Sequence, residues 1–242
     1  MPFATSEGGV KIHYELEGSG PPLVLMHGLG GNLESWRGAG YAQPLAEEFQ
    51  LVLIDSRGRG QSDYPRTQEA YELRTRVMDL ASVLNDAGLE KAHFMGYGTG
   101  AWVGWGIPIY MPQRFKSLAL GGFGPAADPF AGGSVEEHFG ELWHKFADEE
   151  QEVVRLMFAE TARFGGARQA LKTTQLPIML WAGEQDPHFA TMLGAASMLA
   201  HGSFFPIPHK DHRQAFQDAD AREVVVQCAA EFFAEVENEV HA

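Results

Sequence analysis

The stretch Phe94-Met95-Gly96-Tyr97-Gly98-Thr99-Gly100-Ala101-Trp102 decides how the whole chain is read. An apolar run, Ala92 to Met95, leads into it, and a helical pattern leaves it. Two motifs fit. As Gly-x-Gly-x-x-Ala it matches a dinucleotide-binding turn, which also needs an acid about 20 positions on, at the end of the next strand. That strand ends Leu118-Ala119-Leu120-Gly121-Gly122, and no acid follows until Asp128. Such a turn also tends to open its domain, whereas several strands precede this one. The better match is a strand-to-helix elbow, Gly-x-Ser-x-Gly, with glycine in the serine position. Its flanking glycines let the strand and helix pack closely.

Outward from the elbow, short apolar runs alternate with helical patterns. This argues for a mostly parallel sheet with helices on both faces. The strand candidates are Val10 to Glu15, Leu23 to His27, Leu51 to Ile54, Ala92 to Met95, Phe115 to Leu120, Ile178 to Ala182 and Phe204 to Ile207. Three of them are continuously apolar, as a strand covered on both faces must be. Leu73, Val77, Leu80 and Leu84 form one helical stripe that Gly88 stops. No strand candidate occurs from Gly122 to Leu176, only helical patterns at Val135 to Phe146 and Glu149 to Phe164. Residues 1–121 and 177–242 therefore read as the core, and 122–176 as a short helical cap over the carboxyl ends of the strands. So short a cap predicts an open site.

Four further loops follow strands. Met26-His27-Gly28-Leu29-Gly30-Gly31 frees backbone N–H groups to face a ligand; alone it is equally an ordinary turn. Asp55 to Asp63 reads as a structural loop fixed by Asp55 and Arg57. Gly183-Glu184-Gln185-Asp186 and Pro208-His209-Lys210-Asp211-His212 put an acid, then a histidine, after the last strands. The order elbow, acid, histidine is that of a nucleophile triad. Asp186 alone would pass as a turn former, and His212 alone as a solvated loop residue. Five loops in the right order are far harder to obtain by chance.

On these motifs the chain resembles the α/β-hydrolase superfamily over nearly its whole length, in particular its small esterase, lactonase and haloperoxidase-like branch. The resemblance implies that the backbone N–H groups of Leu29 and Thr99 form an oxyanion hole. It further implies that Asp186 orients His212, that His212 is the base, and that Gly98 occupies the nucleophile position. His212 fits the family's Pro-x-x-x-His spacing from Pro208, and His209 does not. His27, Tyr97, Trp102 and Trp143 are candidates to line a small-molecule pocket, with core packing the competing role for the tryptophans and for Trp105. No cofactor is implied, and His209, Asp211 and His212 lack the spacing of known metal-ligand sets. His138 and His144 read as surface residues of the cap.

Glycine supplies no nucleophile, so the covalent mechanism of the family fails as written. It also excludes the dehalogenase and epoxide-hydrolase chemistry of the same scaffold, which needs aspartate there. Thr99 is no substitute, since its side chain points away from the elbow tip. Losing a triad serine costs about a millionfold in turnover and leaves roughly a thousandfold over water. Three explanations stand: an introduced replacement in an esterase, a natural site in which His212 activates water, or a chain that has become a binder or a cofactor-free His–Asp general-base enzyme.

Composition bounds the rest. The chain has 242 residues, 45% hydrophobic and 21% charged, which suits one globular core. A formal net charge of −14 disfavours nucleic acid and anionic membrane as partners. The single cysteine, Cys228, lies in a C-terminal apolar helix pattern and reads as an inert thiol. The first residues carry neither a basic start nor an apolar run, so the expectation is a soluble cytoplasmic protein.

Overall fold

The computed structural model describes residues 2–126 and 133–240. Its eight strands are β1 (Phe3–Thr5), β2 (Lys11–Glu17), β3 (Pro22–Met26), β4 (Gln50–Ile54), β5 (Ala92–Tyr97), β6 (Phe115–Gly121), β7 (Ile178–Gly183) and β8 (Gly202–Ile207). They form one sheet in the order β1-β2-β4-β3-β5-β6-β7-β8. β1 pairs antiparallel with β2, and β2 antiparallel with β4. The other pairings are parallel. β1 escapes the sequence pattern because three residues, with only Ala4 buried, are too few to show a period.

The apolar runs follow from burial on both faces. Val24, Met26, Val52, Ile54, Phe94 and Leu120 face one core, packed by α3 (Leu73–Asp86) and α4 (Thr99–Tyr110). Their neighbours Leu23, Leu25, Leu51, Leu53, Met95 and Trp181 face the other. That second core is closed by α1 (Glu34–Gly38), α2 (Ala42–Ala46) and α10 (Ala219–Val240). Adjacent strand residues point to opposite faces, so only a run apolar at every position fills both.

β3 lies between β4 and β5, so the chain leaves it first toward one side and later returns to the other. The loops after β3 and β5 therefore diverge at a crevice, the place where open sheets of this kind bind ligands. Close packing at that point rests on glycine. A Cβ on Gly100 would lie 2.1 Å from the Met26 carbonyl oxygen, and one on Gly96 would lie 2.6 Å from the Gly100 carbonyl carbon. Backbone cannot yield to such a contact by a rotamer change. Gly100→Ala is expected to cost at least about 3 kcal/mol, within the range of severe overpacking, measurable as a lowered urea midpoint.

Between β6 and β7 lie α5 (Val135–Phe139), a 3-10 segment Gly140–Lys145, α6 (Asp148–Ala162) and α7 (Arg168–Thr173). The single helix expected across Val135 to Phe146 is broken at Gly140, which takes φ 52° and ψ −130°. α5 opens on a capping box: Ser134 accepts from the Glu137 N–H, and Glu137 reaches back to the Ser134 N–H. Residues 127–132 of the expected cap, Asp128 included, lie outside the described residues. The chain ends through α8 (Phe189–Ala196), α9 (Gln214–Gln217) and α10. Among the described residues no helix is long and apolar enough to cross a membrane.

Candidate active site

Gly98 joins β5 to α4 with φ 55° and ψ −122°, a backbone region that L side chains rarely adopt. Its N–H donates to the Gly121 carbonyl at 2.9 Å, and its own carbonyl accepts from the Trp102 N–H at 3.0 Å. A Cβ at this position would sit 3.6 Å from Gly28 Cα, 3.7 Å from His212 Nε2 and 3.9 Å from His212 Cε1. These are ordinary contacts. A side chain at 98 would thus fit, with its Cβ between Gly28 and the outer edge of the His212 ring.

His212 is held in place from two sides. Its Nδ1 lies 2.8 Å from Asp186 Oδ2. A carboxylate can only accept, so Nδ1 carries the proton and Nε2 keeps its lone pair facing residue 98. The Asp186 side chain is fully buried, and its other oxygen accepts the His188 N–H at 2.8 Å. The loops carrying the two residues are tied by Glu184 N–H to Ile207 O at 3.1 Å and Gln185 N–H to Lys210 O at 2.9 Å. Tyr97 backs the histidine: its hydroxyl donates to the His212 carbonyl, and the two rings lie 5.1 Å apart. Burial pushes the Tyr97 phenol well above its ordinary pKa, so it stays a donor. Gly122 completes the seat. With φ 63°, it would bring a Cβ to 2.9 Å from His212 Cε1 and 2.6 Å from Tyr97 Cζ.

Opposite lies the loop after β3. Thr99 is the first residue of the twelve-residue α4, so its N–H has no intrahelical partner and sits at the positive end of the helix. Among the described residues the N–H groups of Thr99 and Leu29 have no hydrogen-bond acceptor. His27 holds the Leu29 loop in place. Its Nε2 accepts the Ser56 N–H at 3.1 Å, so its Nδ1 is the nitrogen that donates to the Gly28 carbonyl, at 2.8 Å. Arg59 adds bonds to the Gly31 and Gly30 carbonyls at 2.9 and 3.1 Å, and an ion pair to Glu150 of α6 at 3.2 Å. Asp55 accepts from the N–H groups of Leu33 and Gln61, at 2.8 and 2.9 Å, pinning the neighbouring loop.

Desolvation pushes the pKa of the buried His27 down to about 4 despite its bond to Gly28. His93, buried between Ser117 and Glu237, is likewise lowered to about 4. The unfolded chain binds protons at these histidines below pH ~6.5, whereas the folded chain resists until about 4. Stability is thus fully present above about pH 6.5 and drains as pH falls toward 4, by on the order of 3 kcal/mol per histidine. Urea unfolding at stepped pH should show this loss, and His93→Gln should flatten it.

The structure brings Gly98, Asp186, His212, Leu29 and Thr99 together at one crevice. The candidate pocket residues are placed differently. His27 and Tyr97 are buried and hold the loop and His212 from behind. Trp143 is buried in the cap cluster beside Leu29. Trp102 is buried against Phe164 and the Arg76 guanidinium, and Trp105 is buried with its indole N–H on the Phe123 carbonyl at 2.9 Å. Three contributors carry no sequence signal: Gly122, which only the φ reveals, the His188 N–H on Asp186, and Arg59 as a link between loop and cap. Phe139 and Phe146 of the cap also reach Gly30, where a Cβ would meet them at 2.9 and 3.1 Å.

With this geometry established, the chain belongs to the alpha/beta hydrolase fold family, whose model matches residues 21–154. The bifunctional epoxide hydrolase 2 of Sus scrofa is 32% identical over 126 residues, covering 49% of this chain and 22% of that protein. The putative carbamate hydrolase RutD of Azorhizobium caulinodans is 33% identical over 130 residues, covering 54% of this chain and 47% of that protein. The chain thus matches less than half the length of either relative. Among solved structures, a thermophilic esterase from Thermogutta terrifontis superimposes with a TM-score of 0.79 at 19% identity, covering 97% of this chain and 98% of that one. At that identity the likeness is one of fold.

Proposed function

We propose that this chain acts on a carboxylic ester or lactone, with His212 activating a water molecule in the space a nucleophile side chain would fill at Gly98. One observation carries the reading: a Cβ at Gly98 would lie 3.7 Å from His212 Nε2, which puts the base within reach of a reacting group at that position. In the proposed reaction His212 Nε2 takes a proton from water as its oxygen attacks the substrate carbonyl carbon. The N–H groups of Leu29 and Thr99 receive the negative charge that moves to the carbonyl oxygen. Collapse of that adduct expels the alkoxide, which takes the proton from His212 and leaves acid and alcohol. Asp186 steadies the transient imidazolium. Residue 98 sets this chemistry apart from that named for the epoxide hydrolase relative, because the scaffold's epoxide opening needs an aspartate there. The names of the carbamate hydrolase relative and the esterase neighbour support an acyl substrate.

The test is turnover of short p-nitrophenyl esters and simple lactones by the chain and by His212→Ala. Slow turnover that the alanine variant loses supports the water mechanism. Saturable binding of the same compounds without turnover overturns it in favour of a binding protein.

A further inference from the structure

Beneath the crevice, on the α3 side, lies a charge that the chain leaves unbalanced. Arg76 stands on the inward stripe of α3, three residues after Leu73, and is wholly buried. Among the described residues none of its three guanidinium nitrogens has a hydrogen-bond acceptor. The neighbouring carboxylate is already taken: Asp79 holds Arg57 through both oxygens and accepts from Ser6. Two buried guanidinium groups therefore face one carboxylate, a net charge of about +1. Burial lowers the Arg76 pKa only to about 10, so the group stays charged at neutral pH. A buried charge with no partner is strongly unfavourable in proteins, and a fold that keeps one ordinarily gives it a partner.

Elements around Arg76 carry other buried donors that are also unused. The Arg76 guanidinium lies over the Trp102 ring, 5.3 Å from its centre. Trp102 is one helical turn beyond Thr99 on α4, and the Trp102 indole N–H and the Thr99 hydroxyl are both buried without a partner among the described residues. The Arg76 charge is also felt at His27, whose ring accepts the Ser56 N–H, and the Ser56 hydroxyl is unpartnered too. The loop after β4, α3 and the first turn of α4 thus supply a cation and neutral donors without a matching acceptor.

From this imbalance we propose that Arg76 is the centre of an enclosed binding site for a small monovalent anion, best fitted by a carboxylate whose two oxygens match the guanidinium fork. The Trp102 ring covers one side of that fork. The site is independent of any nucleophile at residue 98, so it stands whether or not the chain hydrolyses esters.

Thermal unfolding of the full chain in increasing sodium formate, with ionic strength held constant by sodium sulfate, tests it. The expected result is a rise in Tm that grows with the logarithm of formate concentration and reaches at least about 5 °C at a hundredfold excess over Kd. Arg76→Leu should lose that response. Sodium bromide in a parallel titration separates a carboxylate preference from binding of any small anion. A flat response, or an equal rise in Arg76→Leu, overturns the proposal and leaves the guanidinium solvated by internal water. If the leucine variant does not fold, crystals soaked in bromide decide. An anomalous peak within hydrogen-bond reach of Arg76 supports the site, and peaks on the surface alone, an adventitious ion only, contradict it.

Discussion

Gly98→Ser is expected to raise turnover of short p-nitrophenyl esters by at least about a thousandfold and to introduce a burst of nitrophenol equal to the enzyme present. The magnitude follows from what a triad serine is worth, up to about a millionfold in turnover. It is reduced by whatever rate the proposed His212–water route supplies. The geometry demands little rearrangement, because a Cβ at 98 meets Gly28 and His212 only at ordinary contact distances. From that Cβ the hydroxyl lies within reach of His212 Nε2, which is the general-base contact a serine needs. A stability cost accompanies the gain. With φ at 55°, a non-glycine residue stores about 1–3 kcal/mol of strain. The variant should therefore be faster and less stable together. A variant that folds, binds ester and shows no burst would mean that His212 is not the base for this position.

In the Gly98→Ser background, Asp186→Asn is expected to lower kcat by about 10⁴ with little change in KM. Asparagine keeps the size of the side chain but offers the His212 Nδ1 an amide instead of a carboxylate. The imidazole can then settle in the tautomer that protonates Nε2, and it loses its counter-charge when protonated. Because the change acts on the transition state alone, substrate affinity is spared. Asp186 also accepts the His188 N–H at 2.8 Å, so unfolding must be measured alongside kinetics. A fall in kcat with intact folding is the diagnostic result.

Much of this candidate site was readable from the chain because most of its parts follow buried strands, the His212 loop after the partly exposed edge strand β8 being the exception. A strand covered on both faces must be apolar at every position, so Leu23–Met26, Leu51–Ile54 and Ile178–Ala182 announce themselves, and the loops after them come into register as a set. The glycines around 98 were equally legible, because Gly96 and Gly100 stand where the helix backbone touches the strand. What stayed hidden depends on contacts across the fold. Nothing local distinguishes Tyr97 as a support behind His212 from Tyr97 as a pocket wall. His27 resembles a ligand-facing residue until its ring is seen spent on Ser56 and Gly28. Arg76 reads as one more charge on an amphipathic helix, and only its burial makes it anomalous.

The central claim is that the site is a hydrolase site complete except for one oxygen at residue 98. Labelling with a fluorophosphonate, followed by intact-mass and peptide analysis, tests it most directly. The reagent reacts only with a hydroxyl nucleophile activated by a neighbouring base. The account predicts one adduct per chain in Gly98→Ser, located at residue 98, none in the chain with glycine, and strong slowing when His212→Ala is added. A folded Gly98→Ser chain that remains unlabelled, or one labelled equally fast without His212, would contradict it.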